Sequence, residues 1–211
     1  GVLIGCTPKK PPPPQVDPDL ARAQQLIQLG DHAGAAALYQ GIANRSDLLE
    51  RQEYLLRAAE QARLSGDRDL QGELLLRLSA LPLNPPRDLR RRLLAADLAM
   101  SDQQPDRALL ELGAEPDASF SRLERKRYYR MLADIQAALD DDLAEAYALI
   151  DLEALSLDPQ ESLQLQRQIL ELLTNLSPAQ LAPTPADPQA AGWQELAASI
   201  QTFGFESSAL R

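Results

Sequence analysis

The sequence predicts an all-α fold, in which antiparallel helix hairpins stack side by side into a right-handed superhelical array. Three observations carry this prediction. Hydrophobic residues make up 45% of the chain and aromatics only 4%, and the apolar set is mostly Ala and Leu. Small and unbranched side chains lose little rotamer freedom in a helix, so this mix favours helix over strand. The β-branched and aromatic runs that strands need are missing. Finally, apolar stripes at helical spacing are broken by short turn signals that return at nearly constant intervals.

Residues 1–18 stand outside the helical pattern. They open Gly1-Val2-Leu3-Ile4-Gly5-Cys6. Leu3-Ile4-Gly5-Cys6 resembles the lipobox of bacterial lipoproteins. The resemblance implies that the Cys6 thiol carries a diacylglyceryl group, that Leu3, Ile4 and Gly5 end a cleaved export signal, and that Cys6 begins the mature chain with an acylated amine. On this reading the sequence is a segment of a longer precursor. Thr7 follows Cys6 in place of an Asp; by resemblance to enterobacterial sorting rules this points to the outer membrane. The run Thr7-Pro8-Lys9-Lys10-Pro11-Pro12-Pro13-Pro14 cannot join a helix, because proline lacks the N–H and fixes φ. As an extended polyproline tether, Thr7 to Pro18 reaches roughly 37 Å.

From Asp19 to Leu176 the pattern is helical. Leu20, Ala23, Leu26 and Ile27 form a stripe that ends at Gly30, and Asp31 is placed to cap a second helix through Ala35, Ala36, Tyr39 and Ile42. A turn this short forces the two helices antiparallel. The unit recurs. Leu55, Ala58, Ala59 and Ala62 precede Gly66-Asp67, and Leu74, Leu75 and Leu78 follow. Leu94, Ala95, Ala96 and Ala99 precede Gln103-Gln104-Pro105, with Ala108 and Leu112 beyond. Leu132, Ala133 and Ile135 precede Asp140-Asp141-Asp142, with Ala146, Leu149 and Ile150 beyond. Aligned on the second helix, the matching positions are Ala35, Gln71, Ala108 and Ala146, in steps of 36, 37 and 38 residues.

This resembles the tetratricopeptide repeat, with its small residues where two helices cross, although the steps exceed its period of roughly 34. A further helix, Pro159 to Leu176, has a broad apolar side and is expected to cap the array, mostly buried. Residues 177–188 hold four prolines and read as a linker; residues 189–211 read as a terminal helix to about Phe203, leading to a further C-terminal domain. An isolated helix of that length is marginal in water, so it is expected to pack on the array or on something outside this segment.

The charge and motif inventory excludes several functions. The net charge is −10, against what a nucleic-acid binder needs to displace counterions. Cys6 and His32 are single residues of their kinds, so no intrachain disulfide or Cys/His zinc site can form, and with His32 at a hairpin turn and Cys6 at the anchor no Ser-His-Asp or Cys-His set is expected. No phosphate loop or EF-hand spacing is present, and no cofactor is implied. His32 reads as an exposed first-turn residue. The acidic run at Asp140 complements a helix N-terminus. Glu53, Glu60, Glu73, Glu111 and Glu171 are expected to face solvent. The chain is therefore read as a non-enzyme without catalytic or metal residues. Two basic clusters stand out: Arg87, Arg90, Arg91 and Arg92, and Arg122, Arg125, Lys126, Arg127 and Arg130. Spacings of three and four place Arg122, Arg125 and Lys126 on one face, a candidate docking site for an acidic partner or the anionic cell wall.

The order of parts (lipobox, Pro-rich tether, Ala/Leu-rich TPR-like helices, Pro-rich joint and a Gly192-Trp193…Leu196-Ala197 helix) resembles the N-terminal region of LpoA-type outer-membrane lipoproteins, activators of a bifunctional class A penicillin-binding protein. The resemblance implies a protein anchored by lipid on the periplasmic side of the outer membrane that supports peptidoglycan synthesis. Its implied partners are the synthase, the membrane through the anchor, and peptidoglycan. The competing expectation is a TPR scaffold lipoprotein of an outer-membrane assembly complex.

Overall fold

The computed structural model describes residues 17–181 and 187–209. The lipobox residues Leu3, Ile4, Gly5 and Cys6 and the tether up to Val16 lie outside the described residues. The described chain is all-helical. Four hairpins follow one another: α1 (Pro18–Gln28) with α2 (His32–Arg45), α3 (Leu48–Ser65) with α4 (Arg68–Ser79), α5 (Pro85–Ser101) with α6 (Pro105–Leu112), and α7 (Arg122–Ala138) with α8 (Asp142–Ala154). Then come α9 (Pro159–Asn175), the single turn α10 (Pro178–Leu181) and α11 (Pro188–Ala209).

The hairpin turns are one local structure written in four sequences. Each places a residue in the left-handed region: Gly30 (φ 79°), Gly66 (φ 76°), Gln103 (φ 58°) and Asp140 (φ 57°). The next residue reaches back across the turn: Asp31 N to Leu26 O at 2.9 Å, Asp67 N to Ala62 O at 3.0 Å, Gln104 N to Ala99 O at 2.9 Å and Asp141 N to Gln136 O at 3.1 Å. This is the Schellman closure, which satisfies carbonyls that the helix end would leave unpaired. The same residue then caps the second helix. Asp31 accepts from Gly34 N (2.8 Å), Asp67 from Leu70 N (3.0 Å) and Asp141 from Ala144 N (3.0 Å). Gln104 makes no such bond, and Pro105 begins α6 directly. Stop and start signals are thus compressed into two residues, which locks the antiparallel geometry.

Small residues seat the second helices. Ala35, Ala108 and Ala146 are fully buried. Gln71 takes the same place in the second repeat; its Nε2 donates to Leu94 O at 3.0 Å, so its polar end is paired within the packing. The core divides at α5. Leu94 and Ala95 join the α1–α4 side with Leu55, Leu56, Leu74 and Leu78, while Leu89, Ala96 and Ala99 join the α6–α11 side with Ile135, Ile150 and Leu152. Each fully buried Leu or Ile contributes about 1.5–3 kcal/mol relative to exposure. α5 therefore welds two halves that would otherwise share little core.

The C-terminal part departs from expectation. On α9, Leu165, Ile169 and Leu173 are buried but Leu163 is 56% exposed, so a single stripe is covered. The Pro-rich stretch contains α10, whose Leu181 is buried. α11 runs for 22 residues rather than ending near Phe203. It packs on α8 and α9: Ala190, Ala197 and Trp193 join the core, Gln194 Nε2 donates to Tyr147 Oη (2.7 Å), and Gln201 Nε2 donates to Thr174 O (2.9 Å) and Leu176 O (2.8 Å). The last helix extends the array.

Candidate functional site: the concave groove

The first helices of three successive hairpins, α3, α5 and α7, pack side by side. α3, α5 and α7, closed by α9, line a groove of about 740 Å³. Its apolar floor includes Leu64, Leu93, Leu123 and Met131; Leu64 and Leu123 are 49% and 59% exposed. No aromatic side chain lines it.

The two ends of the groove differ in charge. At the α3–α5 end the ions are matched. Arg90 lies 2.9 Å from Glu53 Oε2 and 2.8 Å from Glu60 Oε1, Arg87 Nε is 3.8 Å from Glu53, and Arg63 faces Asp97 at 3.7 Å. Burial works against the charge on Glu53, but Arg57 and Arg90 outweigh it and hold the carboxyl below the usual carboxylate range. Arg91 and Arg92 are taken up by Asp88, and Arg92 Nη1 also donates to Leu112 O and Ala114 O. The first arginine cluster is thus a structural tie between α3, α5 and the α6–α7 loop. The expectation that Glu53 and Glu60 face solvent is corrected: both are ion-pair partners across the helix interface, because α5 brings cations over them.

At the α7–α9 end cations are in excess. Lys126 Nζ and Arg130 Nη2 share one carboxylate, Glu161, at 2.5 and 3.3 Å. Hydrogen bonds from Lys126 and Ser156 hold Glu161 below its ordinary range. Arg127 lines the same groove, and Arg167 lines the adjoining cleft of about 280 Å³ with Gln164 and Gln168. Among the described residues neither arginine has a carboxylate within 4.0 Å. Asp134 is pushed above its ordinary range by partial desolvation, with Arg130 only partly offsetting this.

The predicted trio does not stay together. Lys126 enters the groove, but Arg122 and Arg125 do not line it. Arg125 instead acts on Tyr129 and Asp151 at the other edge of α7. There the Tyr129 hydroxyl donates to Glu115, and Tyr128 Oη donates to Gly113 O at 2.9 Å. Partial desolvation, then Glu115 and Asp187, pushes Asp151 up to about 6. Spacing alone put the three cations on one face; packing on both flanks gives α7 two edges, and Lys126 and Arg125 fall on different ones. The residues that share the groove are Lys126, Arg127 and Arg130, joined by Arg167. A signal for this was available: Arg90 and Arg127, and Arg130 and Arg167, are each 37 residues apart, one repeat step.

His32 is half-buried, and its Nδ1 lies 2.8 Å from Oε1 of the buried Gln61, which also lines the groove. The pairing explains why it is not the exposed residue expected. Among the described residues no grouping of His, Cys, Asp or Glu is placed to hold a metal ion, and no helix is long and apolar enough to cross a membrane. The groove offers charged donors over an apolar floor, an arrangement for recognition.

A family model described as "LppC putative lipoprotein" matches residues 32–210. The chain is 27% identical over 213 residues to the penicillin-binding protein activator LpoA of Vibrio cholerae serotype O1, in strains that include Classical Ogawa 395 and M66-2. The match covers all of this chain and 34% of those proteins, so the chain spans about a third of the length of the curated relatives it matches. Among solved structures, the LpoA N-terminal domain from Haemophilus influenzae has a similar fold. The TM-score is 0.50 at 21% identity, over 83% of this chain and 80% of that one.

Proposed function

The chain belongs to the LppC lipoprotein family, and from that membership we propose that it is the helical arm of a non-catalytic regulator of peptidoglycan synthesis. The arm supports activation of a bifunctional class A penicillin-binding protein from the periplasm. Lipid on Cys6, with Leu3, Ile4 and Gly5 as its lipobox, anchors it to the periplasmic side of the outer membrane. The observation that carries this reading is the similarity of the entire chain to proteins named penicillin-binding protein activator. Stacked hairpins with a groove suit a protein that acts by contact.

The test is direct. The purified chain is used to capture proteins from solubilised envelopes, and is then added to the class A synthase during glycan polymerisation and cross-linking. Capture of the synthase, with a change in either rate, is expected. Capture of a β-barrel assembly complex with both rates unchanged would replace this reading by the scaffold one. Glycan cleavage by the chain would overturn its non-catalytic character. Metabolic labelling with a fatty acid, lost in Cys6→Ser, tests the anchor.

A further inference from the structure

We propose that the α7–α9 end of the groove binds an acidic, extended segment of a partner protein, held by Arg127, Arg130 and Arg167 with its apolar side chains on Leu64, Leu93 and Leu123. Charge complementarity carries this. In a chain of net charge −10, Lys126, Arg127 and Arg130 meet at one end of the groove, and Arg167 lines the cleft that adjoins it there. They are opposed there by Glu161, already shared by two of them, and by Asp134. At physiological salt the acidic remainder of the surface is screened beyond about 8 Å, so the local excess decides what enters. Arginine's planar fork suits carboxylates, and the amides of Gln164 and Gln168 beside Arg167 can pair with a peptide backbone.

The groove also selects the class of ligand. Single-stranded nucleic acid needs aromatic platforms for its bases, and none lines the groove. A bilayer is flat and cannot follow a recess. An extended peptide fits the length: three interhelical steps from α3 to α9, at about 9 Å each, span roughly 27 Å, or about eight residues. The direction is fixed as well. The α3–α5 end is charge-matched and takes the apolar part, and the α7–α9 end takes the carboxylates.

The test uses the whole chain, ¹⁵N-labelled, titrated with the blocked peptide Leu-Ala-Leu-Ala-Asp-Glu-Asp-Glu and with its Asn/Gln counterpart. Saturable shifts are expected on the inner faces of α5, α7 and α9 for the acidic peptide, with a Kd on the order of 10⁻⁴ M at low salt. Arg127→Glu with Arg167→Glu weakens binding about tenfold, and Arg107→Glu on α6, outside the groove, leaves it unchanged. Both groove arginines are exposed, so thermal melts of the variants should match the parent. The proposal fails if the neutral peptide binds equally well, if the double reversal has no effect, or if no shift saturates below about 2 mM. It also fails if anionic phospholipid vesicles, and not the peptide, perturb these helices.

Discussion

The third hairpin turn is the weak copy of a repeated structure, and giving it the sequence of the first two should stabilise the protein. Gln103 sits at φ 58° where Gly30 and Gly66 sit at 79° and 76°, and Gln104 lacks the cap bond that Asp31 and Asp67 make. A side chain in the left-handed region costs about 1–2 kcal/mol. Gln103→Gly removes that cost but frees the unfolded chain, which returns about 0.4–1 kcal/mol. The net gain is about 0.5–1 kcal/mol. Gln104 has φ −118° and ψ 67°, against −81° and 85° at Asp67. An Asp there can therefore accept the unpaired N–H from the first turn of α6, for about 1 kcal/mol. Together the two changes contribute about 1.5–2 kcal/mol. For a chain of this size that raises Tm by roughly 3–8 °C. Urea melts and calorimetry of both single variants and the Gln103→Gly/Gln104→Asp pair measure it. A pair no more stable than the parent would refute the idea that the four turns are one structure with interchangeable sequences.

Two further outcomes follow from the turn at Gly66 and from the environment of Asp151. Gly66→Ala should destabilise by about 1 kcal/mol in a urea melt; a Cβ there meets nothing within 4 Å, so the loss is backbone strain alone. Asp151→Asn should stabilise at neutral pH. The folded protein holds its proton up to about 6 against an ordinary 3.8. The native state therefore binds more protons between about pH 4 and 6, and stability falls as pH rises through that window. The shift alone implies about 3 kcal/mol, which solvent screening of this partly exposed group reduces to about 1 kcal/mol or less. Urea melts should show the gain of the Asn variant at about pH 7.5 and its disappearance below about pH 4; a gain of the same size at both would sink the assignment.

The fold was legible because each of its rules is local. Gly30-Asp31 and Gly66-Asp67 announce a left-handed stop and an N-cap, and Ala35, Ala108 and Ala146 mark where helices approach closely. The repeat is legible even at Gln103-Gln104, where both turn residues are atypical. The end of α11 reads short, near Phe203 rather than Ala209, and its packing partner stays open in the sequence, because prolines at 178, 183, 185 and 188 signal a break in the chain but not what the next helix packs on. Tyr147, Thr174 and Leu176, which receive α11, lie 25 to 47 residues before their partners. The groove was harder to read for the same reason. Whether a surface cation is paired depends on the neighbouring first helix, about one repeat away.

That dependence explains why two arginine clusters of similar appearance have opposite fates. Shifted back by one step of 37 residues, Arg90 falls on Glu53, the carboxylate 2.9 Å from it. The same shift takes Arg127 to Arg90, and moving forward takes it to Gln164. Arg130 maps to Leu93 in one direction and Arg167 in the other. The α5 cluster therefore lies against a helix that supplies its counter-charges and serves to fasten two hairpins. The α7 cluster lies between a helix whose carboxylates are already engaged and one that adds a further arginine, with Glu161 and Asp134 to offset it. Charge on the inner helices of such an array is a property of columns that cross the repeats. An unmatched column is an uncompensated field inside a concavity, and the ligand that best compensates it carries the missing carboxylates.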